Sequence, residues 1–253
     1  MNPRQLSSIA VLLTATSIAC VAQPTSSPPA SSDNGVYTYR KPTRDGIGKV
    51  YMGREIAHVM GYAGMSWLER PDRETTEKPD RVVEALSLAP DDVVADIGAG
   101  SGYFAFRLAA KVPDGRVLAV DLQPEMLAVV EQRAQELGGI NVEPIQGTVS
   151  DPNLPANTVD LTLMVDAYHE FSHPREMMEG IVRALQPGGR VVLVEYRGED
   201  PTVSIKELHK MTQKQVRREM AAVGLAWRET LDFLPQQHVL VFEKGAEPSA
   251  DGG

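Results

Sequence analysis

The middle of the chain alternates between short apolar runs and amphipathic segments. Apolar runs of this kind are typical of buried strands, and apolar residues repeating every three or four positions are typical of helices. The predicted strands are 93–97, 116–122, 141–146, 159–165 and 190–196. The predicted helices are 81–88, 103–111, 124–137 and 174–185. Strands that alternate with helices indicate an α/β domain whose parallel sheet is covered on both faces.

The pattern changes towards the carboxyl end of the domain. A predicted helix over 212–222 is followed by two predicted strands, 226–234 and 237–244, with only a short turn between them. A short turn joins antiparallel neighbours. We therefore expect an antiparallel strand at one edge of the sheet, within a domain that extends from residue 80 to 244.

The segment before this domain, 44–79, carries a weaker pattern. Ile56, Val59 and Met60 have helical spacing, although glycines interrupt the run. The spacing predicts a helical lid over 44–79, and Tyr62, Met65 and Trp67 are candidates to roof a binding pocket.

The first twenty residues predict an export signal. An apolar stretch, 9–19, follows an early arginine and is too short to span a bilayer. Ser17 to Cys20 resembles the lipobox of bacterial lipoproteins, although leucine usually stands at the position of Ser17. We expect a signal peptide or lipoprotein signal over 1–20, with membrane attachment through the amino terminus and a location in the cell envelope on the periplasmic side. A cytoplasm-facing anchor is the alternative.

Composition narrows the remaining possibilities. Residues 21–43 have the composition of a flexible tether, and 245–253 that of a disordered tail. The net charge is −9, and we find no basic cluster beyond 214–218, so nucleic acid is disfavoured as a partner. The single cysteine allows no intrachain disulfide. The sequence does not indicate an oligomeric state.

A glycine-rich loop carries the strongest functional signal. The predicted strand 93–97 contains Asp96, and Gly98, Gly100 and Gly102 follow before the next helix. Such a loop at the carboxyl end of a parallel strand is where open α/β sheets bind ligands. The loop also fits the dinucleotide pattern G-x-G-x-x-A, with Asp121 placed to bind a ribose. Against a dinucleotide, Asp96 would repel a pyrophosphate but suits a cationic ligand.

Residues 81–244 resemble class I S-adenosylmethionine-dependent methyltransferases, particularly the small-molecule ubiquinone-pathway and type 11 groups. The resemblance rests on "VVADIGAGSG", "AVDLQPEML" and "LQPGGRVVLVEY". It implies a Rossmann-like seven-stranded sheet in the order 3-2-1-4-5-7-6, with strand 7 antiparallel, and S-adenosylmethionine as cofactor. The cofactor-binding residues it implies are Asp96, Gly98, Ala99, Gly100, Gly102, Asp121, Leu122, Gly147, Thr148 and Asp166.

One departure from the family concerns the adenine contact. Relatives often carry Gly-Asp where this chain has Gly147 and Thr148. Adenine recognition is then expected from backbone groups or from Asp151. Arg70 or Arg73 is a candidate partner for the cofactor carboxylate.

The stretch "YHEFSHP" contains H-E-x-x-H, the spacing of zinc metalloproteases. That chemistry needs both histidines on one face of a helix. Here the strand 159–165 comes just before the motif, and Pro174 directly follows His173, which favours a helix that begins where the motif ends. His169 and His173 are therefore expected in a loop, and no metal site is predicted.

The same stretch follows strand four, where the resemblance implies the acceptor cavity. Tyr168, His169 and Glu170 are the candidate catalytic residues. His169 is the first candidate for a general base, because an unperturbed histidine titrates at about pH 6.5, and Glu170 is the second. The alternative is that His169 only packs or hydrogen-bonds the loop. His173 is expected to support the following helix.

These observations predict methyl transfer to a small organic acceptor by in-line displacement. Three alternatives remain open: a catalytically silent cofactor-binding envelope protein, a nicotinamide-dependent oxidoreductase and a zinc hydrolase. The predicted export signal stands in tension with the cytoplasmic origin of S-adenosylmethionine.

Overall fold

The computed structural model describes residues 35–245. The predicted signal segment 1–20, residues 21–34 of the predicted tether and residues 246–253 of the predicted tail lie outside the described residues. Within the described range, none of the helices combines the length and apolar character needed to cross a bilayer.

A mixed sheet forms the centre of the domain. Its strands are β4 Val93–Ile97, β5 Arg116–Asp121, β6 Val142–Gln146, β7 Val159–Val165, β8 Leu185–Arg197, β10 Leu225–Leu231 and β11 Gln237–Lys244. The pairs from β6 to β8 are parallel, whereas β11 is antiparallel to both β8 and β10. The strand order is β6-β5-β4-β7-β8-β11-β10. This order confirms the predicted 3-2-1-4-5-7-6 arrangement of a Rossmann-like methyltransferase sheet. A short strand, β9 Lys210–Met211, pairs in parallel with the end of β8.

Helices connect the strands and cover the sheet. They are α3 Pro79–Ala85, α4 Ala105–Ala109, α5 Pro124–Glu136, α6 Pro174–Ala184 and α7 Gln213–Ala221. Three of the five begin with proline, which fixes a helical φ where the amide hydrogen would have no partner in the helix. The predicted helix over 103–111 is shorter, because Tyr103 and Phe104 still belong to the turn before it and the helix ends at Ala109.

Two apolar layers lie on opposite faces of the sheet, and neighbouring residues of one strand point into different layers. Val94 and Leu163 belong to one cluster, and Ala95 and Met164 belong to the other. Side chains of a strand alternate between faces, so a strand buried on both faces is apolar at nearly every position. This explains the continuous apolar runs in the sequence.

The segment before the domain begins as a small antiparallel sheet instead of a helix. Its strands are β1 Tyr37–Tyr39, β2 Gly46–Tyr51 and β3 Arg54–Ala57, in the order β1-β2-β3. The predicted helical lid over 44–79 is therefore wrong for 46–57, and the predicted tether over 21–43 is wrong for 37–39. Helical structure starts later, with a 3-10 turn Tyr62–Gly64, α1 Met65–Leu68 and α2 Arg73–Thr76.

A two-residue turn explains why this segment is extended. Met52 and Gly53, between β2 and β3, have φ values of 47° and 87°. Positive φ at both central residues is the feature of the tight turn that joins antiparallel strands most readily. Ile56, which suggested helical spacing, packs with Tyr37 and Tyr51 in a small core of this sheet.

Glu55 holds this small sheet together through its buried carboxylate. It accepts hydrogen bonds from the backbone N–H of Thr43 and of Gly48, both at 3.0 Å, and from Arg40 at 2.8 Å. Burial raises the pKa of Glu55, but the backbone donors and Arg40 outweigh it and lower the pKa from 4.5 to about 2.

We therefore predict that Glu55→Gln destabilises the protein near pH 6, and that its difference from the unchanged protein shrinks as pH falls. A lowered pKa contributes stability above pH 4.5, and that stability is lost as pH falls through about 2. Urea unfolding at pH 6, 4 and 2.5 measures the difference. Glu131→Gln, on the exposed face of α5, is the control; a Glu55→Gln difference independent of pH would contradict the assignment.

Candidate functional site

The glycine loop lies between β4 and α4, at the carboxyl edge of the sheet. Gly98, Gly100 and Gly102 all have positive φ, between 55° and 81°, which residues with a Cβ rarely adopt. A Cβ at Gly98 would lie 2.7 Å from the Cβ of Ala167, so side chains are excluded by space as well as by conformation. The loop therefore brings bare backbone to the edge of a cavity.

Asp121 ends β5 beside this loop. Its Oδ2 accepts a hydrogen bond from the N–H of Gly100 at 2.9 Å, and its Oδ1 accepts one from the N–H of Gln123 at 2.8 Å. Burial raises the pKa of Asp121, and these two backbone donors oppose that rise. A carboxylate has about four acceptor positions, so Asp121 keeps capacity for ligand hydroxyl groups.

Two further acids lie deeper at the same edge. Asp96 is 3% exposed, and burial raises its pKa to about 7, with Arg73 opposing and Asp121 reinforcing the rise. Burial also raises the pKa of Asp166, whose Oδ2 accepts a hydrogen bond from Gln237 at 2.7 Å. Oδ2 of Asp96 and Oδ1 of Asp166 have no partner among the described residues. Unpartnered buried oxygens are unusual and favour a cationic or hydrogen-donating ligand nearby.

A cavity of about 840 Å³ opens above these residues. Of the predicted cofactor-binding residues, those that line it are Gly98, Gly100, Asp121, Leu122, Gly147, Thr148 and Asp166. Asp96, Ala99 and Gly102 are not among the lining residues. Asp151, the alternative adenine contact, instead pairs with Arg183 at 3.1 Å and does not line the cavity.

The helical part of the segment 62–77 covers the glycine loop. A Cβ at Gly100 would lie 2.6 Å from Cδ1 of Leu68, so Leu68 rests directly on the loop. Trp67 lines the cavity and is 52% exposed, whereas Tyr62 and Met65 do not line it. Of the three predicted roof residues, the cavity thus includes one.

Arg70 and Arg73 both reach the cavity, but each is paired with Glu77. Arg73 lies 2.6 Å from Oε2 of Glu77, Arg70 contacts Oε1, and the hydroxyl of Tyr196 donates to the same carboxylate at 2.9 Å. The two arginines have the charge and geometry to bind a carboxylate. The carboxylate that they bind in this structure is that of Glu77. The predicted contact of these arginines with a cofactor carboxylate stays a prediction.

The other end of the cavity is formed by the turn after β7. Tyr168, His169 and Glu170 form a 3-10 turn, and α6 begins at Pro174, as expected. Tyr168 is buried and its hydroxyl donates to Glu219 at 2.7 Å, so it does not line the cavity. His169 and Glu170 do line it. The structure therefore brings two of the three candidate catalytic residues to the cavity.

His169 is held at both ring nitrogens. Its Nδ1 lies 2.7 Å from Oε2 of Glu195, and its Nε2 lies 3.1 Å from Nδ1 of His209. Burial lowers the pKa of His169 to about 3, so the ring is neutral at physiological pH. Burial raises the pKa of Glu195. Glu170 accepts a hydrogen bond from the N–H of Met60 at 3.0 Å.

His173, the second histidine of H-E-x-x-H, is separate from this group. It precedes α6, contacts Ser172 at 3.0 Å and packs edge-on against Tyr37. The prediction that the motif does not form a helix is confirmed. His209, by contrast, joins the group from a turn forty residues away, and no local pattern in the sequence marks it.

A buried ion pair fixes the turn from behind. Arg54 of β3 makes two 3.0 Å hydrogen bonds to Glu219 of α7, and its third nitrogen donates to the carbonyl of His169 at 3.0 Å. The side chains are 9% and 0% exposed. The pair therefore joins the small sheet, α7 and the turn that carries His169.

Comparison with known proteins agrees with this geometry. Residues 94–189 match a family described as "Methyltransferase domain". The chain is 30% identical over 169 residues to the uncharacterized methyltransferase YcgJ of Bacillus subtilis, covering 62% of this chain and 66% of that protein. It is 28% identical over 116 residues to the ubiquinone/menaquinone biosynthesis C-methyltransferase UbiE of Ectopseudomonas mendocina, covering 45% of each. The chain thus spans less than two thirds of these curated relatives.

Solved structures share the fold. A SAM dependent methyltransferase from Aquifex aeolicus superposes with a TM-score of 0.69 at 22% identity, covering 73% of this chain and 99% of that one. The matched family region begins within β4 and ends within β8. It therefore includes the glycine loop, Asp121 and the 168–170 turn.

We predict that Glu219→Gln lowers the free energy of unfolding by about 3–5 kcal/mol, because it leaves the buried Arg54 guanidinium without a counter-charge. Glu84→Gln is the matched control: its partner Arg81 lies 3.7 Å away and both side chains are more than half exposed, so we expect a loss of about 0–1 kcal/mol. Urea unfolding measures both. Equal losses would show that the buried pair does not hold the turn in place.

Proposed function

We propose that this chain, which carries a class I S-adenosylmethionine-dependent methyltransferase domain, transfers a methyl group to a small organic acceptor. The observation that carries the proposal is a single cavity with two different ends. One end is the glycine loop with Asp121, and the other is the polar group around His169. A cofactor and an acceptor that meet in one cavity satisfy the first need of a transfer reaction, which is proximity.

The residues at the glycine-loop end fit the cofactor. Asp121 retains acceptor positions for ribose hydroxyls, and Gly98 and Gly100 leave room for close approach of a ligand to the backbone. Leu122, 40% exposed at the cavity, offers apolar surface to a flat base. The buried acids Asp96 and Asp166 make the surroundings suited to a positive charge. When bound, S-adenosylmethionine supplies an electrophilic methyl group on a sulfonium centre.

The protein's main contribution to an in-line displacement is positioning and exclusion of water. Leu68 closes over Gly100, and the backbone of Met60 is hydrogen-bonded to Glu170 and to Gln123. The segment before the domain therefore contacts both ends of the cavity. A segment with this position can hold an acceptor against the donor and keep bulk water out.

The acceptor's proton requires a separate destination where the acceptor is a hydroxyl, amine or enol. His169 as general base, with Glu170 as second candidate, stays a prediction. Both ring nitrogens of His169 are engaged, and its low pKa makes it a weak base. These properties favour a role for the whole polar group over a role for His169 acting alone.

Three alternative functions differ in the observations that favour or disfavour them. A catalytically silent cofactor-binding protein would keep the glycine-loop end and lack turnover. A nicotinamide-dependent oxidoreductase is disfavoured by Asp96, whose buried carboxyl lies under the loop where a pyrophosphate would bind. Zinc hydrolysis through H-E-x-x-H is disfavoured because His173 lies apart from His169.

We further propose export to the cell envelope, on the signal-like composition of residues 1–20 alone.

We predict that the protein binds S-adenosylhomocysteine and that Asp121→Asn weakens binding roughly tenfold to a hundredfold. Hydrogen bonds to a charged group contribute about 1.5–3 kcal/mol, and an amide keeps only one oxygen while two backbone donors already require acceptors. Isothermal titration calorimetry with S-adenosylhomocysteine, and separately with NADH, measures this.

Asp114→Asn, at an exposed aspartate before β5, is the matched control and should bind like the unchanged protein. Circular dichroism establishes that Asp121→Asn remains folded. Binding of NADH without S-adenosylhomocysteine would replace the proposal with the oxidoreductase alternative. Binding of S-adenosylhomocysteine, without methyl transfer to any compound in a panel of small acceptors, would favour the alternative of a catalytically silent cofactor-binding protein.

A further inference from the structure

Three side chains converge at the acceptor end of the cavity. His169, Glu170 and His209 each offer a ligand atom, and these atoms all lie within 4.8 Å of one another. Nε2 of His169 is 3.1 Å from Nδ1 of His209 and 3.9 Å from Oε1 of Glu170, and Nδ1 of His209 is 3.4 Å from the same oxygen. Two histidines and a carboxylate form a donor set of catalytic metal sites.

The separations suit a metal ion. Metal–ligand distances of about 2.1 Å in tetrahedral geometry place the ligand atoms roughly 3.4 Å apart. The observed separations, from 3.1 to 3.9 Å, lie on both sides of that value. Small rotations of His209 and Glu170, which are 21% and 15% exposed, are enough to equalise them.

Chain topology brings the ligands together from three places. His169 and Glu170 lie on the turn after β7, and His209 lies directly before β9. Because β9 pairs in parallel with the end of β8, Tyr196 lies opposite Lys210. The residues just before them, Glu195 and His209, therefore lie side by side. A strand pairing of only two residues thus delivers the third ligand.

Glu195 supplies the outer partner that metal-binding histidines usually have. Its Oε2 lies 2.7 Å from Nδ1 of His169, the nitrogen that faces away from the cluster. Such a carboxylate accepts a hydrogen bond from the Nδ1–H and leaves the Nε2 lone pair for the metal.

The charge at this end of the cavity favours a cation. Glu170 and Glu195 contribute two carboxylates, and Glu195 is 0% exposed. The buried Arg54 is already paired with Glu219. Buried carboxylates are usually paired with cations or coordinate metals.

We propose that His169, Glu170 and His209 bind one divalent transition-metal ion, with a further coordination position open to the cavity. All three residues line that cavity, and a site with three protein ligands and an open position is the arrangement of catalytic metals. The sequence predicts no metal here, because Pro174 keeps His169 and His173 from sharing one face of a helix, and no local pattern marks His209.

The open position indicates the class of acceptor, an inference that rests on the proposed methyl transfer. An acceptor with a hydroxyl, enol or thiol group would coordinate the ion through that group. Coordination lowers the pKa of the bound group, and its proton leaves to solvent water. The oxygen or sulfur would then hold the electron pair that forms the new bond to the methyl carbon. The bond between that carbon and the sulfonium sulfur would break, its electron pair would stay on the sulfur, and S-adenosylhomocysteine would leave.

Cobalt binding to the tag-free, full-length chain tests the site. After dialysis against a chelator and removal of the chelator, Co²⁺ is titrated while visible absorption is recorded, and Zn²⁺ is added in competition. We expect one Co²⁺ per chain, with a visible spectrum that Zn²⁺ abolishes.

Variants identify the ligands. We expect His209→Ala and Glu170→Gln each to weaken Co²⁺ binding more than about a hundredfold, since outer-shell partners alone are worth about ten- to a hundredfold. Glu195→Gln should fall within that smaller range. His173→Ala is the matched histidine control and should bind as the unchanged protein does, because His173 does not line the cavity. Circular dichroism shows whether each variant is folded. If one of the two ligand variants does not fold, the Co²⁺ affinity of the other tests the site.

Several outcomes would overturn the site. They are no bound Co²⁺ or Zn²⁺ in the unchanged protein, binding that survives both ligand variants, and binding that depends on His173 instead of His209. The first would mean that His169 and His209 only share a hydrogen bond.

S-adenosylhomocysteine titration of the same samples separates the two proposals. Binding of S-adenosylhomocysteine without binding of Co²⁺ would contradict the metal site alone. Binding of Co²⁺ without binding of S-adenosylhomocysteine would contradict the proposed function alone.

Discussion

The buried pair of Arg54 and Glu219 is the constraint on which the acceptor end of the cavity depends. Arg54 lies on β3, Glu219 on α7, and the pair also binds the carbonyl of His169 and the hydroxyl of Tyr168. Removing two charges from water costs several kcal/mol per ion, and only well-placed hydrogen bonds recover it. Here both carboxylate oxygens and all three guanidinium nitrogens are bonded, so one pair fixes three segments far apart in sequence.

The parallel sheet determines where the chemistry can lie. Strands β4, β5 and β7 all end at one edge, so Asp96, Asp121 and Asp166 approach one another although long stretches of sequence separate them. The glycine loop brings backbone without side chains to that edge, and the turn after β7 supplies side chains. The small sheet and the helical turns after it close the same edge. The cavity thus lies between a fixed sheet edge and a separate covering segment.

The sequence predicts the sheet well because its physical signals are local. A strand buried on both faces is apolar at most positions, and a proline before an amphipathic run marks a helix start; β4, β7 and α6 follow these rules. The sequence does not predict the small sheet, because its turn is marked only locally, by Gly53 after Met52. A glycine at that place also resembles an interruption of a helix, and the positive φ of both residues is visible only in the structure. Ile56 fits either periodicity over so short a segment.

The candidate site shows the same division between local and long-range information. The glycine loop and Asp121 are adjacent to strand ends that the sequence predicts, so their convergence follows from topology alone. The contact of Leu68 with Gly100, the pairing of Arg70 and Arg73 with Glu77, and the arrival of His209 depend on how separate segments pack. Propensity and spacing carry no information about such contacts.

The H-E-x-x-H stretch shows why spacing must be judged together with backbone geometry. On a helix, residues four apart share a face, and the two histidines of the motif meet. Pro174 begins a helix just after the motif, so His173 turns towards Tyr37 while His169 and Glu170 remain on a tight turn at the cavity. His209, and not His173, lies next to His169. The pairing of β9 with β8 places His209 beside Glu195. The motif therefore contributes its first histidine and its glutamate, and tertiary structure supplies the other.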